Sequence, residues 1–151
     1  MDVMTDIAAL YVNIDVFGTD VITEFGLEVD LLEESVVEEY TNGNYMMKQF
    51  SVTNEQGSQI TVQSSQFIVS DEYSFVSEAF AVLCSLDEAH YFHHNSSTIS
   101  SPHEYEAVKS CYNFWRETVT DESKFFELIE TAAELRRSMN DLEERAISGE
   151  K

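Results

Sequence analysis

The spacing of apolar residues along this chain changes repeatedly, and each change predicts a different element. In "TDIAALYVNI", Ile7, Leu10, Tyr11 and Ile14 keep the i, i+3, i+4, i+7 spacing of one helix face, with Thr5 placed as N-cap. The alternation of Leu10, Val12 and Ile14 also describes a strand. Farther on, Phe25, Val29, Leu32, Val36 and Tyr40 fall within about 80° of one another on a helical wheel. That stripe predicts a helix from residue 20 or 28 to 41, with Gly26 interrupting its front and "TNGN" ending it.

Residues 45–70 are rich in β-branched and aromatic side chains in near alternation. Phe50 and Val52, then Ile60 and Val62, flank "NEQG", a hairpin with Gly57 in the positive-φ position. Phe67 to Val69 predicts a third strand. Asp71 is placed to cap a helix striped by Phe75, Val76, Phe80, Leu83 and Cys84. A polar loop, "HHNSSTISSPHE", holds the only proline, Pro102, and leads into a helix over about 103–118 carrying Tyr105, Val108, Tyr112 and Trp115.

The last helix is predicted over 121–147, after Thr120 as N-cap. Phe125, Leu128, Ala132, Leu135, Met139, Leu142 and Ala146 alternate spacings of three and four, a coiled-coil-like seam. Such a seam either packs on its own domain or pairs its distal half with another chain as a homodimer. Together these segments predict one α+β domain over residues 1–151. It has a small antiparallel three-stranded sheet at about 45–70, several α-helices and a long C-terminal helix. No internal repeat or low-complexity block stands out.

With 151 residues and 17 Phe and Tyr, the chain has the length and apolar content of a folding sequence rather than a disordered acidic tail. It has no long apolar run for a membrane span, and "MDVMTDIAAL" carries acids where a secretion signal needs bases, so a cytoplasmic protein is expected. There, Cys84 and Cys111 are expected to be reduced, small hydrophobes.

Charge changes the picture most. The net charge is −21, and residues 1–108 hold 19 Asp and Glu against one base, Lys48, whereas residues 109–151 hold ten acids and seven bases. Such a field repels nucleic acid and anionic membranes and attracts basic proteins. Direct nucleic-acid or membrane binding is therefore excluded.

The motifs of common chemistries are missing. Five glycines, at 18, 26, 43, 57 and 149, form no phosphate-binding loop, and there is no Gly-x-Ser-x-Gly or Cys-x-x-Cys. His90 and His94, at i, i+4, are the only metal-pair spacing, with His93, His103 and Glu104 as further donors. Tyr91 stands where the zinc-peptidase motif has its general-base Glu, and histidines near a helix C-terminus have a simpler role there. No metal or other cofactor is expected, and the chain reads as a non-enzyme.

The acids of "LLEESVVEEY" remain. In a helix, Asp30, Glu34 and Glu38 form an i, i+4, i+8 row in which each like-charge contact costs about 0.2–0.5 kcal/mol. Lysine at Glu34 would relieve both contacts, so stability does not account for the pattern. The doublets Glu33–Glu34 and Glu38–Glu39 would give one charge per roughly 3.8 Å of helix, close to the roughly 3.4 Å of one DNA strand. Leu31 and Val37 lie beside them as apolar contacts. In composition and size the chain resembles the DNA-mimic proteins of phages and mobile elements. The expected function is an acidic inhibitor that occupies the nucleic-acid site of a basic protein, such as a restriction, CRISPR or recombination enzyme. The contacts would be Asp30, Glu33, Glu34, Glu38 and Glu39, with Asp15, Asp20, Glu24 and Glu28 outside them. The alternatives are an immunity or antitoxin protein for one cationic toxin, or a dimeric adaptor.

Overall fold

A computed structural model describes residues 3–40, 43–68 and 78–148. Four α-helices, α1 (Val3–Glu24), α2 (Glu78–His94), α3 (Pro102–Thr118) and α4 (Glu122–Ser148), accompany three strands, β1 (Glu28–Tyr40), β2 (Gly43–Thr53) and β3 (Gln59–Ile68). The strands form one antiparallel sheet in the order β1-β2-β3. This is the α+β class the sequence predicts, with a long C-terminal helix, but the sheet is assembled from different residues.

The segment read as a helix to residue 41 is the strand β1. Gly26, at φ 61°, ends the preceding helix instead. Its N–H donates to Thr23 O and the Leu27 N–H donates to Ile22 O, a Schellman closure that turns the chain out of α1. Phe25, Val29, Leu32, Val36 and Tyr40 are therefore not one stripe. β1 carries two bulges, at Leu32 and Val37. These fall at the same place in two five-residue units, "LLEES" and "VVEEY", so each unit fills four ladder positions. The paired doublets are visible in the sequence but read there as a helix face; their five-residue interval is the spacing of the bulges. A bulge lets two adjacent apolar residues oppose one residue of the partner strand, which is how this non-alternating sequence stays in a sheet.

Phe67 to Val69 is not a separate strand either. Phe67 and Ile68 continue β3 beyond Ile60 and Val62, and Val69 lies outside the described residues, as do Asp71, Phe75 and Val76. The β2–β3 hairpin is as expected, with Gly57 at φ 87°. Asn54 Oδ1 accepts the N–H groups of Gln56 and Ser58, while its Nδ2 donates to Glu117 and Thr118 at the end of α3. The turn is thus tied to the helices.

α1 starts before Thr5, which lies inside the helix rather than at its cap. α3 is capped by Ser101, whose Oγ accepts the Glu104 N–H, with Pro102 in its first turn. α4 is capped by Asp121, one residue beyond the expected Thr120, through its Oδ1 and the Lys124 N–H at 2.9 Å.

The core is built round α2. Ala79 to Leu83, Ser85 to Asp87 and Ala89 are buried, so nearly every face of this helix is covered. Phe50, Val52 and Val62 of the sheet, Ile14 and Val21 of α1, Trp115 of α3, and Phe125, Leu128, Ala132 and Met139 of α4 complete it. The C-terminal seam is thus spent within the chain's own core as far as Met139. No described helix is long and apolar enough to cross a membrane.

Candidate interaction surface

β1 lies at a sheet edge and packs extensively on β2 alone. Only Val29 and Ser35 are half-covered; its other residues are exposed, on both faces. Pairing to β2 sorts them. Glu28, Asp30, Glu33 and Glu38 lie opposite Thr53, Ser51, Gln49 and Tyr45, and so share one face; Glu34 and Glu39, opposite Lys48 and Asn44, occupy the other. Asp30, Glu34 and Glu38 therefore do not form a row.

Exposed apolar residues are interleaved with these acids. Leu31, Leu32, Val36 and Val37 are 49%, 55%, 49% and 60% exposed, too high for core residues. Leu31 and Val37 were expected at the surface; Leu32 and Val36 were assigned to a buried stripe that does not exist. Tyr40 folds back over Phe67, ring centroids 5.7 Å apart, and a hydrogen bond to Glu38 raises its hydroxyl pKa. Among the described residues no element hydrogen-bonds to the outer edge of β1.

The charges are mostly uncompensated. Glu34 meets Lys48 at 3.2 Å, and Glu24 meets Lys124 at 3.8 Å. Asp15, Asp20, Glu28, Asp30, Glu33, Glu38 and Glu39 are in none of the ion pairs found among the described residues. Asp15, Asp20 and Glu24 are exposed on α1, a separate element that packs on α2 and α4. Glu24 is turned toward the start of α4.

The strand geometry revises the charge spacing. Six acids over 13 residues at about 3.3 Å each give one charge per roughly 7 Å, half the density of a DNA strand. β1 by itself is not a copy of a phosphate backbone. It is an acidic and apolar ribbon with an open edge.

The histidines form an aromatic cluster. His93 stacks flat on Tyr112, centroids 3.7 Å apart, while His90 lies 4.6 Å from His94 and edge-on to Phe125 and Phe126. Burial and the neighbouring His94 lower the His90 and His93 pKa values. His103 is exposed at the start of α3, where Glu104 is engaged with Ser100 and Ser101. Among the described residues no three His, Cys, Asp or Glu side chains converge on a metal position.

Compared with protein-family models, with curated proteins and with solved structures, the chain matches none.

Proposed function

We propose that the chain is an acidic, non-enzymatic inhibitor that docks β1 against the basic surface of a nucleic-acid-binding protein and blocks it. The observation that carries this reading is β1 itself: an edge strand exposed on both faces, with six acids of which one is paired to a base. Attraction over a distance comes from the net charge of −21, and local fit from the ribbon. Because the acids are spaced at about twice the interval of DNA phosphates, the ribbon competes for a basic groove without copying the duplex.

Leu31, Leu32, Val36 and Val37 favour a second reading, an immunity or antitoxin protein. Four large apolar residues between the acids supply contacts that a generic polyanion lacks, and such contacts select one partner.

The test is affinity capture from bacterial lysate in low salt, with and without excess duplex DNA, using the native chain and an Asp30→Lys/Glu33→Lys variant. Both substituted residues face uncharged neighbours on β2, so the fold is retained. Capture of a nucleic-acid enzyme that DNA displaces and the variant loses is expected. A partner indifferent to DNA but lost in the variant selects the immunity reading. Equal capture by both proteins removes β1 as the interface.

A further inference from the structure

Away from β1, a half-open cavity of about 420 Å³ lies between β2, β3, α2 and α4, within the size range of small-molecule sites. Two of its polar groups are more than nine-tenths buried and have bonding capacity left over. The first is Glu143, 7% exposed: its Oε1 accepts the Phe67 N–H at 2.9 Å, and no described residue donates a hydrogen bond to its other oxygen. The second is Ser64, 3% exposed, whose Oγ has no hydrogen-bond partner among the described residues. Buried polar atoms of this kind are ordinarily satisfied.

The remaining walls say what would satisfy them. Phe80 and Met139 form an apolar side. Arg136 also lines the cavity, but its guanidinium is held by Asp87 at 3.0 Å and Glu88 at 3.4 Å. Glu88 and Glu143 are therefore two carboxylates lining the cavity against one base that is already ion-paired. An anion is repelled there, and a neutral molecule gains nothing from the ionised form of Glu143. A metal ion finds too few oxygens, since among the described residues no group of three donors converges. A compact cation that donates hydrogen bonds and carries an apolar stem matches the buried carboxylate and hydroxyl and the apolar side, while Gln63, Ser65 and Asn140 complete the lining with uncharged polar groups.

We infer that this cavity is a binding site for a small alkylammonium ion, its head held by Glu143 and Ser64 and its stem laid against Phe80 and Met139. The site is independent of β1 and of the proposed function. Burial raises the Glu143 pKa to about 7. The charged or titratable groups that share its cavity are Tyr45 of β2, Cys84 and Glu88 of α2, and Arg136 of α4; burial keeps the Cys84 thiol protonated. An ammonium seated against the carboxylate lowers that pKa again, so binding near pH 7 releases protons.

Titration calorimetry with n-butylammonium chloride at fixed ionic strength tests this, with 1-butanol as the neutral analogue. The native chain is expected to bind one ion saturably, to ignore 1-butanol, and to release protons at pH 7 in buffers of different ionisation enthalpy. Glu143→Gln keeps an oxygen for the Phe67 N–H and so keeps the fold, and is expected to bind at least tenfold more weakly. Ser64→Ala is expected to fall between the two. Unsaturable, salt-sensitive binding of equal strength in the native chain and Glu143→Gln would be a surface counter-ion effect and would overturn the assignment. Saturable binding without proton release would place the ion elsewhere and overturn it too.

Discussion

Lys48 and Glu34 face each other across β2 and β1, Nζ to carboxylate 3.2 Å apart. Lys48 is the one base among the first 108 residues, its side chain is 14% exposed, and it meets the acid that a helical reading would have replaced most profitably. In the strand the sign of that substitution reverses. Glu34→Lys sets two ammonium groups opposite each other and is expected to destabilise the fold by about 0.5–1.5 kcal/mol. Urea denaturation measures it; a gain in stability would return the segment to a helix.

Gly18 of α1 packs directly against Ala79 of α2. A Cβ on Gly18 would overlap the Ala79 Cβ and come within 2.9 Å of its Cα, a backbone atom that cannot swing aside. Gly18→Ala removes a helix-interior glycine, worth roughly 0.5–1 kcal/mol in a free helix, yet here it is expected to cost about 1–3 kcal/mol through overpacking. Thermal unfolding at fixed concentration checks the sign.

Glu143 makes stability depend on pH in a defined window. Its folded pKa, about 7, lies above the ordinary carboxyl value of 4.5, so between those values the folded chain binds more protons than the unfolded one. Its contribution is fully present below about 4.5 and is lost as pH rises to about 7, by at most about 3 kcal/mol. The difference in stability between the native chain and Glu143→Gln, followed from pH 4.5 to 8, should show this slope and be flat above it.

Gln66 is wholly buried, and among the described residues neither its Oε1 nor its Nε2 has a hydrogen-bond partner. Replacing it with Met, of similar shape, removes two desolvated polar atoms and is expected to stabilise the fold by about 1 kcal/mol or more. Chemical denaturation tests this; a loss of stability would mean that the amide is engaged.

Cys84 and Cys111 are unpaired. Burial raises both thiol pKa values, that of Cys111 to about 12. A thiol-reactive disulfide reagent at pH 8 is expected to react slowly with the native protein and quickly with two equivalents in denaturant.

Elements with a strong local signal were legible. The "NEQG" turn needs a positive φ that Gly57 supplies. α3 and α4 were predicted to within about a residue because the apolar period is regular there and a proline or a polar pair marks the start of each. The heptad-like seam of α4 was read correctly as an apolar face, but sequence could not say which surface covers it. The buried side chains of Phe125, Leu128, Ala132 and Met139 answer that.

The error over residues 28–40 has a physical cause. Doubled apolar and doubled acidic residues match a helical period closely enough to mislead, because a strand containing a bulge loses the simple alternation that identifies it. One signal did point away from the helix: the row of like charges at i, i+4 was electrostatically unfavourable. In the strand, Glu34 passes to the face opposite Asp30 and Glu38.

The sequence alone determined the mixed class, the hairpin, the late helices and a heavily negative first two thirds, since these follow from local periodicity, turn chemistry and charge. Only the tertiary structure decided that β1 stands at an open edge with its acids on two faces, and that Glu143 is buried beside a cavity. Pairing register, bulges and desolvation depend on what lies opposite a residue in space, and no spacing along the chain encodes that.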